Sequence, residues 1–142
     1  MKKSNNKIII SITDKILLET AKKAMTKAYA PYSRFRVGSA ILTANDKIFT
    51  GCNVENASYG LTICAERSAV VSAVSAGERR FKAVAIIVSG KKPACPCGAC
   101  LQMLGEFAAT DMKILMASFG NLKAVKTARL SELMPCQFRL KK

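Results

Sequence analysis

Apolar positions along the chain switch between helical and extended spacing, and the switches mark its elements. From Ser11 to Ala30, Ile16, Leu17, Ala21, Ala24 and Met25 recur at helical spacing. Ser11 or Thr13 is placed to cap this helix and Pro31 to stop it. The runs "RVGSAILTA" (36–44) and "KIFTGCNV" (47–54) flank Asn45-Asp46, which predicts a β-hairpin. An alanine-rich stretch, 63–76, reads as a second helix ended by Gly77. "FKAVAIIVS" (81–89) is almost continuously apolar, as a strand buried on both faces would be. A third helix is predicted from about Cys97 to about Ala108. "MKILMASF" (112–119) and "LKAVKTA" (122–128) then form strands around Gly120-Asn121, and Ser131-Glu132 opens a short last helix. Five strands alternating with helices imply an α/β fold whose central sheet is covered on both faces. Residues 1–10 read as a basic leader and 11–142 as a single domain.

Half of the 142 residues are hydrophobic, enough for a real core. No window reaches transmembrane length. The start, "MKKSNNKIIISIT", regains charge at Asp14 and Lys15 without a small-residue cleavage site, so no export signal is read there. The six cysteines are therefore expected in a reducing compartment, the cytoplasm, where clustered thiols serve metal binding or catalysis rather than bridges. The formal charge of +14 raises the question of a nucleic-acid partner. The cations are spread from Lys2 to Lys142, tryptophan is absent and aromatics are only 6%. A base-stacking groove is thus not expected, and neither is a nucleic-acid partner.

Chemistry gathers in two stretches, "TICAERSAVVSAV" (62–74) and "PCGAC" (96–100). Cys97 and Cys100, three apart, share a helix face and on their own suit a metal, a redox couple or neither. A thioredoxin-like couple would follow the first strand of a βαβ unit, whereas this pair opens a helix late in the chain. Adding Cys64 makes three thiols, the number of protein ligands that leaves a catalytic zinc one position for water. Both segments begin helices, where the positive end of the helix dipole favours thiolates. Two residues turn a helix by about 200°, so Cys64 and Glu66 meet one ion only if it lies off the helix end. That suits Glu66 as a base beside the ion better than as a fourth ligand. Arg67 is placed to offset the charge of three thiolates. A closed knot of Cys64, Cys95, Cys97 and Cys100 is the structural alternative, and it leaves Glu66 without work. With no histidine in the chain, His-based triads and H-E-x-x-H zinc sites are excluded. Cys52 and Cys136 read as small buried hydrophobes.

Cys64-Ala65-Glu66-Arg67 followed by Pro96-Cys97-Gly98-Ala99-Cys100 resembles the signature of the small zinc-dependent cytidine deaminases, a zinc-deaminase pattern of known mechanics. "AYAPYSRFRVGSAIL", "GCNVENASYG" and "LMPCQF" extend the likeness to about residues 14–138. The resemblance implies a three-layer αβα sandwich around a mixed five-stranded sheet. It implies hydrolytic deamination of cytidine and deoxycytidine to uridine and deoxyuridine, with release of ammonia, in pyrimidine salvage. Zn2+ held by Cys64, Cys97 and Cys100 would activate water for attack on the cytosine C4 carbon, and Glu66 would carry the protons. Asn53 and Glu55 match the family's ribose-binding pair, Phe35 the residue packing on the nucleoside, and Ala65 a backbone contact to the base. Phe138 matches an aromatic lent to a neighbouring subunit of a homotetramer whose sites lie at subunit contacts. The alanine stripe at 65, 69, 73 and 76 suits such a contact or internal packing. Two positions depart from the pattern: Leu101 stands where arginine is usual and Cys95 where serine is usual. Tyr59 sits in a matching loop with no role that the sequence supplies.

Overall fold

The computed structural model describes residues 10–141, so nearly all of the basic leader lies outside the described residues. The first helix, α1, spans Ile12–Met25, and its start is fixed by a reciprocal cap. The Asp14 N–H donates to Ser11 Oγ at 3.0 Å, and the Ser11 N–H donates to the Asp14 carboxylate at 3.1 Å. Its buried face carries Leu17, Leu18, Ala21, Ala24 and Met25, while Ile16, expected on that face, is half exposed. The helix also stops five residues before Ala30. Tyr29 is drawn into extended pairing instead: its N–H donates to Asn53 O at 3.0 Å and its carbonyl accepts from Glu55 N–H at 2.8 Å.

Strands β1 (Val37–Thr43) and β2 (Ile48–Cys52) form the expected hairpin. Its turn is closed by Thr43 and Lys47, with Asp46 in the left-handed region at φ 60°. A single 3-10 turn, Tyr59–Leu61, leads into α2 (Ala65–Ser75). Then follow β3 (Phe81–Val88), α3 (Gly98–Phe107), β4 (Ala108–Ser118), β5 (Asn121–Arg129) and α4 (Leu130–Leu133). β4 begins four residues before the expected Met112, because Ala108 pairs with Phe81 and leaves no loop after α3.

The sheet order is β2-β1-β3-β4-β5, with β3 and β4 parallel and every other pair antiparallel. Helix α1 covers one face; α2, α3 and α4 lie over the other, completing an αβα sandwich. β3 shows why the apolar run of 81–89 was needed. Val84, Ile86 and Val88 enter the core under α2 and α3, whereas Ala83, Ala85 and Ile87 enter the core under α1.

Two glycines let helices lie directly on the sheet. A Cβ at Gly38 would strike the α1 backbone at Ala21 and Met25, and one at Gly51 would strike the α2 backbone at Ala65 and Ala69. Ala65, Ala69 and Ala73 are fully buried, so these three alanines pack internally, the first two against Gly51, while Ala76 is exposed.

Candidate active site

Close seating of α2 on the hairpin brings its N-terminus beside that of α3. Cys64 is the N-cap residue of α2 and Cys97 that of α3; both have extended backbone, and neither side chain caps its own helix. Their thiols therefore remain available, in the field of helix ends that favours anions. Cys100, in the first turn of α3, is fully buried. The three Sγ atoms lie within 4.8 Å of one another, with Cys97 and Cys100 at 3.5 Å. Zn–S bonds of about 2.3 Å in a tetrahedron set S···S edges at roughly 3.8 Å, so this donor set fits zinc. Cys95 is exposed and lines the neighbouring cavity, but it stands outside the group of three.

The local electrostatics separate the groups. Burial opposes ionisation of Cys97, yet the N–H groups of Cys100 and Ala99 and the adjoining thiols hold it below the usual thiol value. Cys100 is pushed well up by burial, then by the charges of Glu66 and Cys64. Burial also raises the Glu66 carboxyl, against the opposing pull of its own N–H, the Cys100 thiol and the Arg67 guanidinium. Glu66 is the second residue of α2 and 6% exposed, so it is a buried carboxyl at the edge of the thiol group. Arg67 Nη2 donates to Cys64 Sγ at 3.6 Å and to Thr62 O at 3.0 Å, placing a cation where the sequence called for one.

Beside the thiols opens a cavity of about 270 Å³, lined by Phe35, Asn53, Glu55, Ala65 and Glu66 together with Cys64 and Cys97. A larger one, about 420 Å³, lies by α4 between Asp111 and Arg139; it holds none of the thiols, and the chemistry assigns the site to the smaller. Asn53 and Glu55 lie beyond the end of β2, yet both face the cavity and both are buried. Their side chains first serve the chain itself. Asn53 Oδ1 accepts from Val37 N–H and Nδ2 donates to Phe35 O, each at 2.8 Å. One lone pair and one N–H remain for another partner. Glu55 accepts from Tyr32 N–H at 2.9 Å, from Ser33 N–H at 3.3 Å and from the Ser33 hydroxyl. Burial opposes ionisation of Glu55, but these donors and Tyr59 keep its carboxyl below the usual range.

Ser33, Thr62 and Tyr59 thus join a site in which the sequence had given them no part. Of the expected site residues, Cys100, Arg67 and Phe138 do not line the cavity; Cys100 lies in the thiol group and Arg67 bonds Cys64, whereas Phe138 stands apart from both. It is 66% exposed on the C-terminal tail, which Gln102 holds through the Phe138 carbonyl at 2.9 Å. Leu101 is buried with Leu104 and Met112, so the leucine at this unusual position fills core volume. Cys52 is half-buried and Cys136 exposed, which corrects the reading of both as buried hydrophobes.

An αβα sandwich that joins three thiols and a buried carboxyl at paired helix N-termini beside an open cavity has the makings of a catalytic zinc centre. Residues 11–116 match the family model of the cytidine and deoxycytidylate deaminase zinc-binding region. The cytidine deaminase of Halalkalibacterium halodurans is 44% identical over 124 residues, 87% of this chain and 92% of that one. A crystal structure of cytidine deaminase from Burkholderia pseudomallei superposes with a TM-score of 0.81 at 44% identity, covering 87% of this chain and 98% of its own. That of the Mycobacterium tuberculosis enzyme gives 0.76 at 39%, covering 89% and 97%. The chain belongs to the cytidine deaminase family.

Proposed function

We propose that residues 11–142 form one catalytic domain that hydrolyses cytidine and deoxycytidine to the uracil nucleosides and ammonia. The observation that carries this reading is the group of three Sγ atoms within 4.8 Å beside the buried Glu66 and the cavity. Cys64, Cys97 and Cys100 would hold the zinc, which when bound would supply the Lewis acidity that eases deprotonation of water near neutral pH. Glu66 receives one proton of the attacking water and places it on ring N3. It then takes the second from the new C4 hydroxyl and delivers it to the departing amine nitrogen, so that the C4–N bond breaks to leave the uracil carbonyl and ammonia. A carboxyl raised by burial suits both directions of transfer. Arg67 and the two helix ends offset the thiolate charge.

Ala65 holds the base edge through its backbone, Phe35 packs on the nucleoside, and Asn53 and Glu55 meet the sugar hydroxyls with their remaining valences. The Glu55 carboxylate repels a phosphate, so free nucleosides are favoured over nucleotides. Phe138, exposed on the tail, is lent to a neighbouring subunit of a homotetramer. Three reduced thiols suit the cytoplasm. No helix among the described residues is long and apolar enough to cross a membrane. The spread of the basic residues and the sparse aromatics support a nucleoside rather than a nucleic acid as partner.

An ultraviolet assay with cytidine, deoxycytidine and cytidine monophosphate tests this, with zinc content measured in parallel. Glu66→Gln should keep its zinc and lose at least about 100-fold in kcat. Wild-type kcat in that variant removes Glu66 from its role, and faster turnover of the monophosphate removes the nucleoside preference.

A further inference from the structure

Phe35 is 40% exposed and sits in a segment without regular structure, next to Arg34 in the left-handed region at φ 58°. Its backbone is held by Asn53 and by Ser33, whose Oγ accepts from Phe35 N–H at 3.0 Å. Neither bond fixes the ring of this cavity-lining residue. The ring stands against Gly90: a Cβ built there would lie 2.9 Å from Phe35 Cε2 and 3.8 Å from Cδ2 and Cζ. The backbone of Gly90 is not in the left-handed region, so its conformation is open to any residue and only the contact calls for glycine.

The platform itself is anchored. Ser118, buried at the end of β4, donates from Oγ to Gly90 O at 2.6 Å. Ser89 N–H donates to Arg36 O, and Ser89 Oγ accepts from Arg36 N–H, both at 2.9 Å, tying the two segments on either side of the ring. Thus the end of a core strand is linked through one carbonyl to the aromatic wall of the cavity.

We infer that Gly90, fixed by Ser118, is a positioning residue that sets where the Phe35 ring stands against the nucleoside. This rests on the cavity being the nucleoside site. A methyl at Gly90 meets the far edge of a side chain that can swing, not backbone, so the fold accommodates it and the ring moves. Substrate binding then suffers while the proton chemistry at Glu66, on another element, does not.

The test is the Gly90→Ala variant, alone and in a Phe35→Leu background. In the wild-type background, KM for cytidine should rise about 10-fold with kcat within about twofold. The thermal midpoint should stay within about 2 °C. In the Phe35→Leu background the same change should move KM less than about twofold, because the contacted edge is gone. Equal KM effects in both backgrounds, or none in the first, overturn the proposal. Wild-type turnover of cytidine tests the underlying reading separately. A crystal structure of Gly90→Ala decides the positioning without any activity: a displaced Phe35 ring supports it, and an unmoved ring refutes it.

Discussion

Asp14 carries two structural duties on one carboxylate. It closes the α1 cap with Ser11, and it accepts from Lys113 Nζ at 2.6 Å, tying α1 to β4. Burial opposes its ionisation, but the Lys113 hydrogen bond, the Ser11 N–H and hydroxyl and the Lys113 charge together hold its pKa below the usual carboxylate range. A carboxyl with a lowered folded value stabilises the fold once ionised. The contribution is complete above the unfolded value near pH 4 and disappears as pH falls through the folded one. Asp14→Asn should therefore cost about 1–3 kcal/mol at pH 7. The gap from wild type should close as urea titrations move below about pH 4. An unchanged gap at low pH would mean that the loss comes from packing rather than charge. Glu55 has its carboxylate engaged by four donors and Asn53 has both amide atoms engaged. Such partners arise between segments far apart in the chain, so the family resemblance that pointed to these two residues did not reveal how the fold holds them.

At the scale of elements, legibility followed the reach of the interactions. The apolar run of β3, the Asn45-Asp46 turn and the starts of α2 and α3 depend on local pattern, and all were readable. So were Cys64, Cys97 and Cys100, since helix starts concentrate chemistry at short sequence spacing. What escaped depends on tertiary contact. Tyr29 pairs with residues 53–55 and ends α1 early, Ile16 turns outward while Leu18 turns in, and β4 starts early against Phe81. Gly51 belongs to the same class: nothing local marks it as the seat of α2. A Cβ there would meet Ala69 N, Ala65 O and Ser68 Cβ, mostly backbone that cannot swing aside. Gly51→Ala should lift the helix that carries Cys64 and Glu66 and cost about 1–3 kcal/mol, seen as a lower urea midpoint with unchanged slope. Gly120→Ala, where a Cβ meets nothing within 4 Å, is the control and should change the midpoint little. Equal effects at the two glycines would separate α2 seating from stability.

For the molecule as a whole, the three thiols join parts of the fold that are distant in sequence. Cys64 follows the hairpin of β1 and β2, while Cys97 and Cys100 follow the central strand β3. Helices α2 and α3 otherwise meet through the apolar core over the sheet, including Ala69, Val70, Leu101 and Leu104. An ion held by thiols from both helix starts binds the folded chain far better than the unfolded one, so its free energy of binding adds to folding. At free zinc about 1,000-fold above the dissociation constant, this linkage adds about 4 kcal/mol. For a chain of 142 residues that corresponds to a fall of roughly 10 °C or more in thermal midpoint on chelation. Readdition of zinc should restore the midpoint, and Cys97→Ser should largely abolish the response to both treatments. Because Glu66 is not a ligand in this reading, Glu66→Gln should lose activity yet keep the full chelator-sensitive shift. Loss of that shift in Glu66→Gln would instead make the carboxyl a fourth ligand, closing the position that water must occupy.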